Sequence, residues 1–448
     1  MRRLTATFEH DWPVARLIRM RGSMMGKALP IWLLFCSSLL AQGWAPPPHP
    51  TALPSQPFFI HNVWYIGGVG PWDTMTMDPA AGQLYIAHGA VVQVVDVASG
   101  TVAGEITGLR GARAIALDDR GVYGYISDGP ASRVVVFDRH SLQTVAAIKT
   151  QPDPRSLVYE PSSGLVFVVQ SGPPAPPPPR DRRGRSQHQA GPHPNSESYI
   201  TVIDPQSNSV MGWILVSGHL GYAQSDGAGQ VYVAYTDRDA LLRFNAPAVA
   251  AELHNRETQP ENAAPGTGNS RPGNKPAAHN PELIDWTEGR GSGSASGGGF
   301  GEIRLGSGCG VPHQFALDGH AARLFVACAD MTLEVLNTGS GQQVASLPIG
   351  SGVDEIGYDP VHDYIFAADG AGDGTLTVIR RDVATDTYAI VQNVPTRQRA
   401  YVMAVDPENG GVYLVTDIIG ADLTHAGGIG SLSMKPINGS FQVIQIGN

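Results

Sequence analysis

The sequence predicts an all-β fold: a seven-bladed β-propeller of four-stranded antiparallel blades, carrying two disordered loop insertions. Three observations predict it. A short apolar run that closes on an acid returns seven times along the chain. Each return is followed by further strand-like runs separated by turn residues. The composition, with 54 Gly, 35 Pro and 16% charged residues, suits short strands and tight turns better than long amphipathic helices.

The repeated runs are Asp73–Asp78, Arg113–Asp118, Arg155–Glu160, Tyr222–Asp226, His313–Asp318, Asp354–Asp359 and Tyr401–Asp406. The intervals between their closing acids are 40, 42, 66, 92, 41 and 47 residues, and the two long ones each contain a polar insertion. A second strand follows each run, at Leu84–Ala87, Tyr125–Ser127, Val166–Val169, Val231–Ala234, Leu324–Ala327, Tyr364–Ala367 and Val412–Val415. Period-two patterning with β-branched and aromatic residues between turn residues is the strand signal. A third strand recurs at Val92–Asp96, Val134–Asp138, Ile200–Asp204, Leu333–Leu336 and Leu376–Ile379, and a fourth at Val102–Ile106, Val145–Ile148, Val344–Leu347 and Tyr388–Val391. One such sheet cannot bury both faces alone, so the repeats stack as a single domain over 58–448. Phe441–Ile446 and Val63–Ile66 are both candidates for the strand that closes the ring.

Ahead of the repeats, Arg16, Arg19, Arg21 and Lys27 precede the apolar run Ile31–Ala41 and then small residues. This order predicts a cleavable signal peptide over 1–43, and therefore a periplasmic or secreted protein with no transmembrane anchor after cleavage. Met24 and Met25 lie close enough to Lys27 to be alternative starts. A Pro-rich linker spans 44–57. Phe35 before Cys36 is too bulky for a lipoprotein signal, which leaves Cys309 and Cys328 as the mature cysteines, able to pair or to remain thiols. Removal of 1–43 takes away six basic and two acidic side chains and moves the formal charge from −10 to −14. So acidic a chain repels phosphate backbones, and no nucleic-acid partner is expected.

The insertion 172–196 is rich in Pro and carries Arg180, Arg182, Arg183 and Arg185; the insertion 246–299 is rich in Asn, Pro, Gly and Ser, with one apolar island at Leu283–Trp286. Both compositions predict disorder.

Gly70, Pro71 and Trp72 before a first strand, Tyr85–His88 and Tyr232–Tyr235 at second strands, and Val94–Asp96 and Val202–Asp204 at third strands resemble the YVTN-repeat propellers, which include YncE-like periplasmic proteins. The resemblance covers about 60–448 outside the insertions. That family's tetrapeptide usually ends in Asn; here the matching positions hold His88, Asp128, Gln170, Tyr235, Cys328 and Asp369.

In a propeller the first strand of each blade lines the channel, so residues at its start converge on one mouth. They are Asp73, Arg113, Arg155, Tyr222 (or Gly221), His313, Asp354 and Tyr401, with Trp72 and Glu355 adjacent. Guanidiniums can fork onto a carboxylate or phosphate, while carboxylates take hydroxyls or cations, so the mouth is a candidate polar ligand site. No catalytic residue, metal ligand or cofactor motif is expected: CxxC, HExxH, EF-hand and Gly-x-Ser-x-Gly patterns are absent, and Asp369–Gly374 lacks a calcium loop's distal Glu. The expected role is that of a monomeric binding or interaction module for a small polar ligand or a cell-envelope protein. The alternative is a lactonase-type hydrolase using His313 as base with Arg113 or Arg155 polarising a carbonyl.

Overall fold

The computed structural model describes residues 57–171, 197–258, 282–286, 299–306, 309, 312, 314–372, 374–422 and 433–448. The expected signal peptide, the linker as far as residue 56, the insertion 172–196 and His313 lie outside them. The described residues form seven blades. Blade 1 comprises Trp72–Asp78, Gln83–His88, Val91–Asp96 and Thr101–Ile106; blade 2 Ala112–Leu117, Tyr123–Asp128, Arg133–Asp138 and Thr144–Lys149. Blade 3 comprises Pro154–Glu160, Leu165–Gln170, Glu197–Asp204 and Ser209–Ser217; blade 4 Leu220–Ser225, Gln230–Tyr235, Ala240–Asn245 and Gly301–Arg304. Blade 5 comprises Phe315–Asp318, Arg323–Ala327, Thr332–Asn337 and Gln343–Pro348; blade 6 Val353–Asp359, Tyr364–Asp369, Thr375–Asp382 and Thr387–Pro395.

Blade 7 joins strands far apart in sequence. Its strands run in the order Val402–Val405, Val412–Thr416, Gln442–Gly447 and Phe59–Tyr65. Both candidate closing strands are therefore used, the C-terminal one third and the N-terminal one outermost. The N-terminal strand pairs antiparallel from Phe59 opposite Gly447 to Tyr65 opposite Gln442. Trp64 stacks on Tyr413 (6.0 Å between centroids), and Phe58 meets Tyr364 and Phe366 of blade 6 edge-on at 5.0 and 5.4 Å.

The hydrophobic core is divided into seven layers, each between adjacent blades. Ile115, Ile126 and Phe137 of blade 2 pack on Tyr85, Val92 and Val94 of blade 1, and Val402, Tyr413 and Val443 of blade 7 pack on Met75, Leu84 and Ile86 of blade 1. The alternation in each strand thus buries both sheet faces, as stacking requires. Six of the seven closing acids are buried, and they cap turns. Glu160 accepts from the backbone N–H of Ser162 and Ser163 (2.9 and 2.7 Å), Asp318 from those of His320 and Ala321 (3.1 Å each), and Asp359 from those of Val361 and His362 (2.8 and 3.2 Å). A carboxylate there satisfies turn amides that the ladder leaves unpaired.

Two features depart from expectation. Within 246–299, expected to be unstructured, Ala246–Thr258 is a helix and Glu282–Trp286 is a strand that adds in parallel to the outer strand of blade 3, making that blade five-stranded. The helix carries Pro247 in its first turn, where a missing N–H costs nothing, and buries Val249 and Leu253, four residues apart, in the layer between blades 3 and 4. Cys309 and Cys328 form a disulfide with Cα atoms 4.6 Å apart, resolving the pairing that the sequence left open.

A chain begun at residue 66 lacks the outer strand of blade 7. Its thermal melting midpoint, followed by circular dichroism, is expected to fall by about 5 °C or more; an unchanged midpoint would contradict closure by this strand. The Cys309→Ser/Cys328→Ser variant frees a loop with a sequence separation of 19. Chain entropy sets the expected loss at about 3 kcal/mol in denaturant unfolding under non-reducing conditions.

Candidate functional site

Antiparallel order brings the start of every first strand, the end of every second strand and the inbound loop from the preceding blade to the same end of the ring, here called the entry end. In six blades the residue closing the second strand clamps that loop. His88 lies 3.1 Å from the Gly70 carbonyl oxygen through Nε2. Asp128 accepts from the backbone N–H of Arg110 and Gly111, both at 2.9 Å. Tyr235 donates its hydroxyl to the Ser217 carbonyl, Cys328 is bonded to Cys309, Asp369 accepts from the Gly350 N–H, and Thr416 donates to the Gln398 carbonyl at 2.8 Å. In blade 3, Gln170 instead meets Thr201 of the third strand at 3.1 Å. Outside blade 3, the positions where the sequence departs from a repeated Asn thus vary in chemistry while their task is kept. All seven are buried.

The clamps hold the entry residues. Arg113 donates to Asp73 at 3.3 Å, and Arg155 to Asp153 at 3.0 Å. Gly129 lies between the two pairs: a Cβ there would stand 2.9 Å from Asp153 Oδ1 and 3.2 Å from Arg113 Cγ. Asp73, Arg113, Asp153 and Arg155 therefore form an arc of alternating charge from blade 1 to blade 3. Their side chains keep 38%, 37%, 40% and 53% exposure, so the arc is half-solvated and is not a set of buried ion pairs. Asp354 of blade 6 lies near enough to raise the Asp73 carboxyl electrostatically, and Arg155 near enough to lower it; burial is the largest effect and leaves Asp73 above its usual range.

Beneath this arc the floor is buried. Glu355 accepts from the Met403 N–H of blade 7 and from Gln314 Nε2 of blade 5 at 3.1 Å. Burial pushes its carboxyl well above the usual carboxylate range, against those hydrogen bonds and with the help of Asp354 and Asp73. Tyr222 packs edge-on against Phe315 at 5.5 Å, and burial raises its phenol. On the blade 7 side, Trp72 stacks on Tyr401 (6.3 Å, 25°), the Arg399 guanidinium lies 4.8 Å above the Trp72 ring, and Arg399 pairs with buried Asp417 at 3.4 Å.

The structure thus brings together Trp72, Asp73, Arg113, Arg155, Asp354 and Tyr401, places Tyr222 with Glu355 in the floor, and does not describe His313. Sequence offsets missed Asp153, Arg399 and Asp417, because these sit on inbound loops or after second strands, and missed Gln314, which lies inside the aligned run one residue past the strand-start position His313. Asp153 and Arg399 do carry a backbone signal, φ of 53° and 67°.

No family model and no curated protein sequence matches the chain. Its likeness to solved structures is one of fold. The chain superposes on the "Structure of U3-55K" over 88% of its own length and 99% of that chain, with TM-score 0.55 and 8% identity. It superposes on the "Crystal structure of RRP9 WD40 repeats" with the same coverages and TM-score at 9% identity. A chain of the "Crystal Structure of Mitotic Checkpoint Complex" matches over 85% of this chain and 95% of that one, with TM-score 0.54 and 13% identity. The protein is a seven-bladed β-propeller with WD40-repeat structural neighbours. No helix among its described residues is long and apolar enough to cross a membrane.

Burial raises the Asp369 carboxyl from 3.8 to about 6, opposed by the hydroxyls of Thr377 and Thr375. A raised folded-state value means that the native state holds a proton the unfolded chain releases. Stability from this group is therefore full below its unfolded value and is lost as pH rises through about 6. Asp369→Asn is expected to remove that slope, so the difference in unfolding free energy between variant and wild type should shift in the variant's favour from pH 4 to pH 7, measured by urea titration; a constant difference would contradict it.

Proposed function

We propose that the chain is an exported binding module of the cell envelope, in which the propeller is a rigid frame and the entry mouth takes a small polar ligand or a polar segment of another protein. The observation that carries this reading is the half-exposed arc of Asp73, Arg113, Asp153 and Arg155 above a buried floor. Fixed charges of both signs, held by strands and clamped loops over a water-poor base, can meet complementary groups without reorganising. Arg113 and Arg155 suit a carboxylate or phosphate, and Asp73 and Asp354 suit a hydroxyl or ammonium. The basic, apolar and small-residue order of 1–43 supports export, and the motifs shared with YVTN-repeat propellers support an envelope setting. One structural neighbour comes from a complex named in its title, which supports a role in interaction.

The test is a thermal-shift screen of the chain begun at Trp44 against sugars, sugar acids, amino acids and phosphorylated metabolites. A ligand present at about 100 times its Kd contributes about 2.7 kcal/mol to stability, and the stabilisation is expected to disappear in Arg113→Ala and Asp354→Ala. A ligand whose effect survives both variants would move the site elsewhere. Turnover of a lactone by wild type, lost in Arg155→Ala, would replace the binding reading with a hydrolytic one.

A further inference from the structure

The outer strand of blade 7, Phe59–Tyr65, closes the ring, and among the described residues its outward edge has no neighbouring strand. Free strand edges invite further pairing, and proteins blunt them with charged residues and proline. The outermost strands of the other six blades follow that rule. Blades 1 to 4 carry an acid or a base there, at Glu105, Lys149, Asp285 and Glu302, and blades 5 and 6 a proline, at Pro348 and Pro395. Phe59–Tyr65 contains no Asp, Glu, Lys, Arg or Pro. Its burial differs too. Thr101–Ile106 and Thr144–Lys149 each bury an isoleucine and expose one large apolar side chain. Phe59–Tyr65 buries none and exposes three: Phe59 at 49%, Ile60 at 37% and Tyr65 at 61%. We propose that this edge is the two-fold interface of a homodimer, in which Phe59–Tyr65 pairs antiparallel with the same strand of a second copy, in place of the monomer expected from the sequence.

The strand is complementary to itself. Antiparallel pairing about a two-fold axis at Asn62 sets Phe59 opposite Tyr65, Ile60 opposite Trp64 and Asn62 opposite its own copy. Aromatic and β-branched residues then meet across the pair, a combination that stabilises cross-strand contacts. No like charges meet, which matters for a chain as acidic as this one, since two copies repel at long range and contact is favoured where the surface is uncharged. The residues just ahead of the strand are poor cover for it: 44–57 hold prolines at 46, 47, 48, 50, 54 and 57, and proline has no N–H to give a ladder. The one-residue bulge at His61 has counterparts in the outer strands of blades 1 and 2, so it does not set this edge apart.

The pairing also orients the two copies. Tyr65 stands at the entry end, opposite Gln442 at the start of the third strand, and Phe59 at the far end, opposite Gly447. Antiparallel addition therefore sets the entry end of one copy beside the far end of the other, and the dimer presents two mouths facing opposite ways. The edge shares no residue with the mouth, and its test stands apart from the ligand screen.

Sedimentation equilibrium of the chain begun at Trp44 is expected to give twice the mass of one chain at about 50 μM, above the micromolar range of modest specific association. Ile60→Lys and Tyr65→Lys set like charges on both copies of the edge, and each is expected to give the mass of one chain with an unchanged circular dichroism spectrum. Val145→Lys, on the outer strand of blade 2, is expected to remain dimeric. Cys309 and Cys328 are bonded to each other and Cys36 precedes Trp44, so Asn62→Cys supplies the one free thiol. Air oxidation of that variant is expected to link two chains, seen by non-reducing electrophoresis. A single-chain mass for wild type, a dimer that survives both lysine variants, or no cross-link at Asn62 would overturn the proposal. Should Ile60→Lys unfold, Tyr65→Lys decides, because Tyr65 is the more exposed of the two.

Discussion

The entry end depends on the clamp that, in six of the seven blades, joins the residue at the end of the second strand to the loop arriving from the blade before. A propeller sheet has no covalent reason to hold that loop at a fixed height, and the loop delivers the first strand to the channel. The clamp supplies the reason. Asp128 shows it most fully: 0% exposed, it accepts two loop amides on one oxygen and the Arg133 guanidinium on the other at 2.9 Å. A buried carboxylate with that many donors has its desolvation offset. Asp369 does the same job for Gly350 with neutral donors only, and its Oδ1 has no hydrogen-bond partner. The difference between the two sites is the guanidinium, and without one burial raises the Asp369 carboxyl.

The same constraint explains how a mouth of half-exposed charges can hold its shape. Contacts between neighbouring first strands continue around the channel: Thr74 donates to the Arg113 carbonyl at 2.9 Å, the Ala223 N–H donates to Ser156 Oγ at 3.0 Å, Tyr222 packs on Phe315, and Gln314 and the Met403 N–H both donate to Glu355. Trp72 and Tyr401 complete the circuit between blades 7 and 1. Glu355 spans blades 5, 6 and 7, so a group read from sequence only as a neighbour of Asp354 is a structural pin of the floor.

Much of this was legible in the sequence because a repeat repeats its physics. The acid closing the first strand is buried and caps a turn in six blades, at Asp78, Asp118, Glu160, Asp318, Asp359 and Asp406, which makes the period visible. The mouth was legible only in part. A fixed offset locates strand starts, so it found Asp73, Arg113, Arg155 and Asp354, but it cannot find Asp153, itself a left-handed residue of the inbound loop, or Asp417, which lies beyond a second strand.

The sequence by itself determined the blade number, the strand positions and the class of residue at the entry end, since all three follow from local alternation and turn chemistry. The tertiary structure alone decided that Phe59–Tyr65 and Gln442–Gly447 share blade 7, that Cys309 pairs with Cys328, and that Leu283–Trp286, seen in sequence only as an apolar island, belongs to a fifth strand on blade 3. The physical reason is common to all three. Each joins segments whose own patterns are satisfied by several partners, and only the closed ring, by fixing which edges and loops stand side by side, selects one.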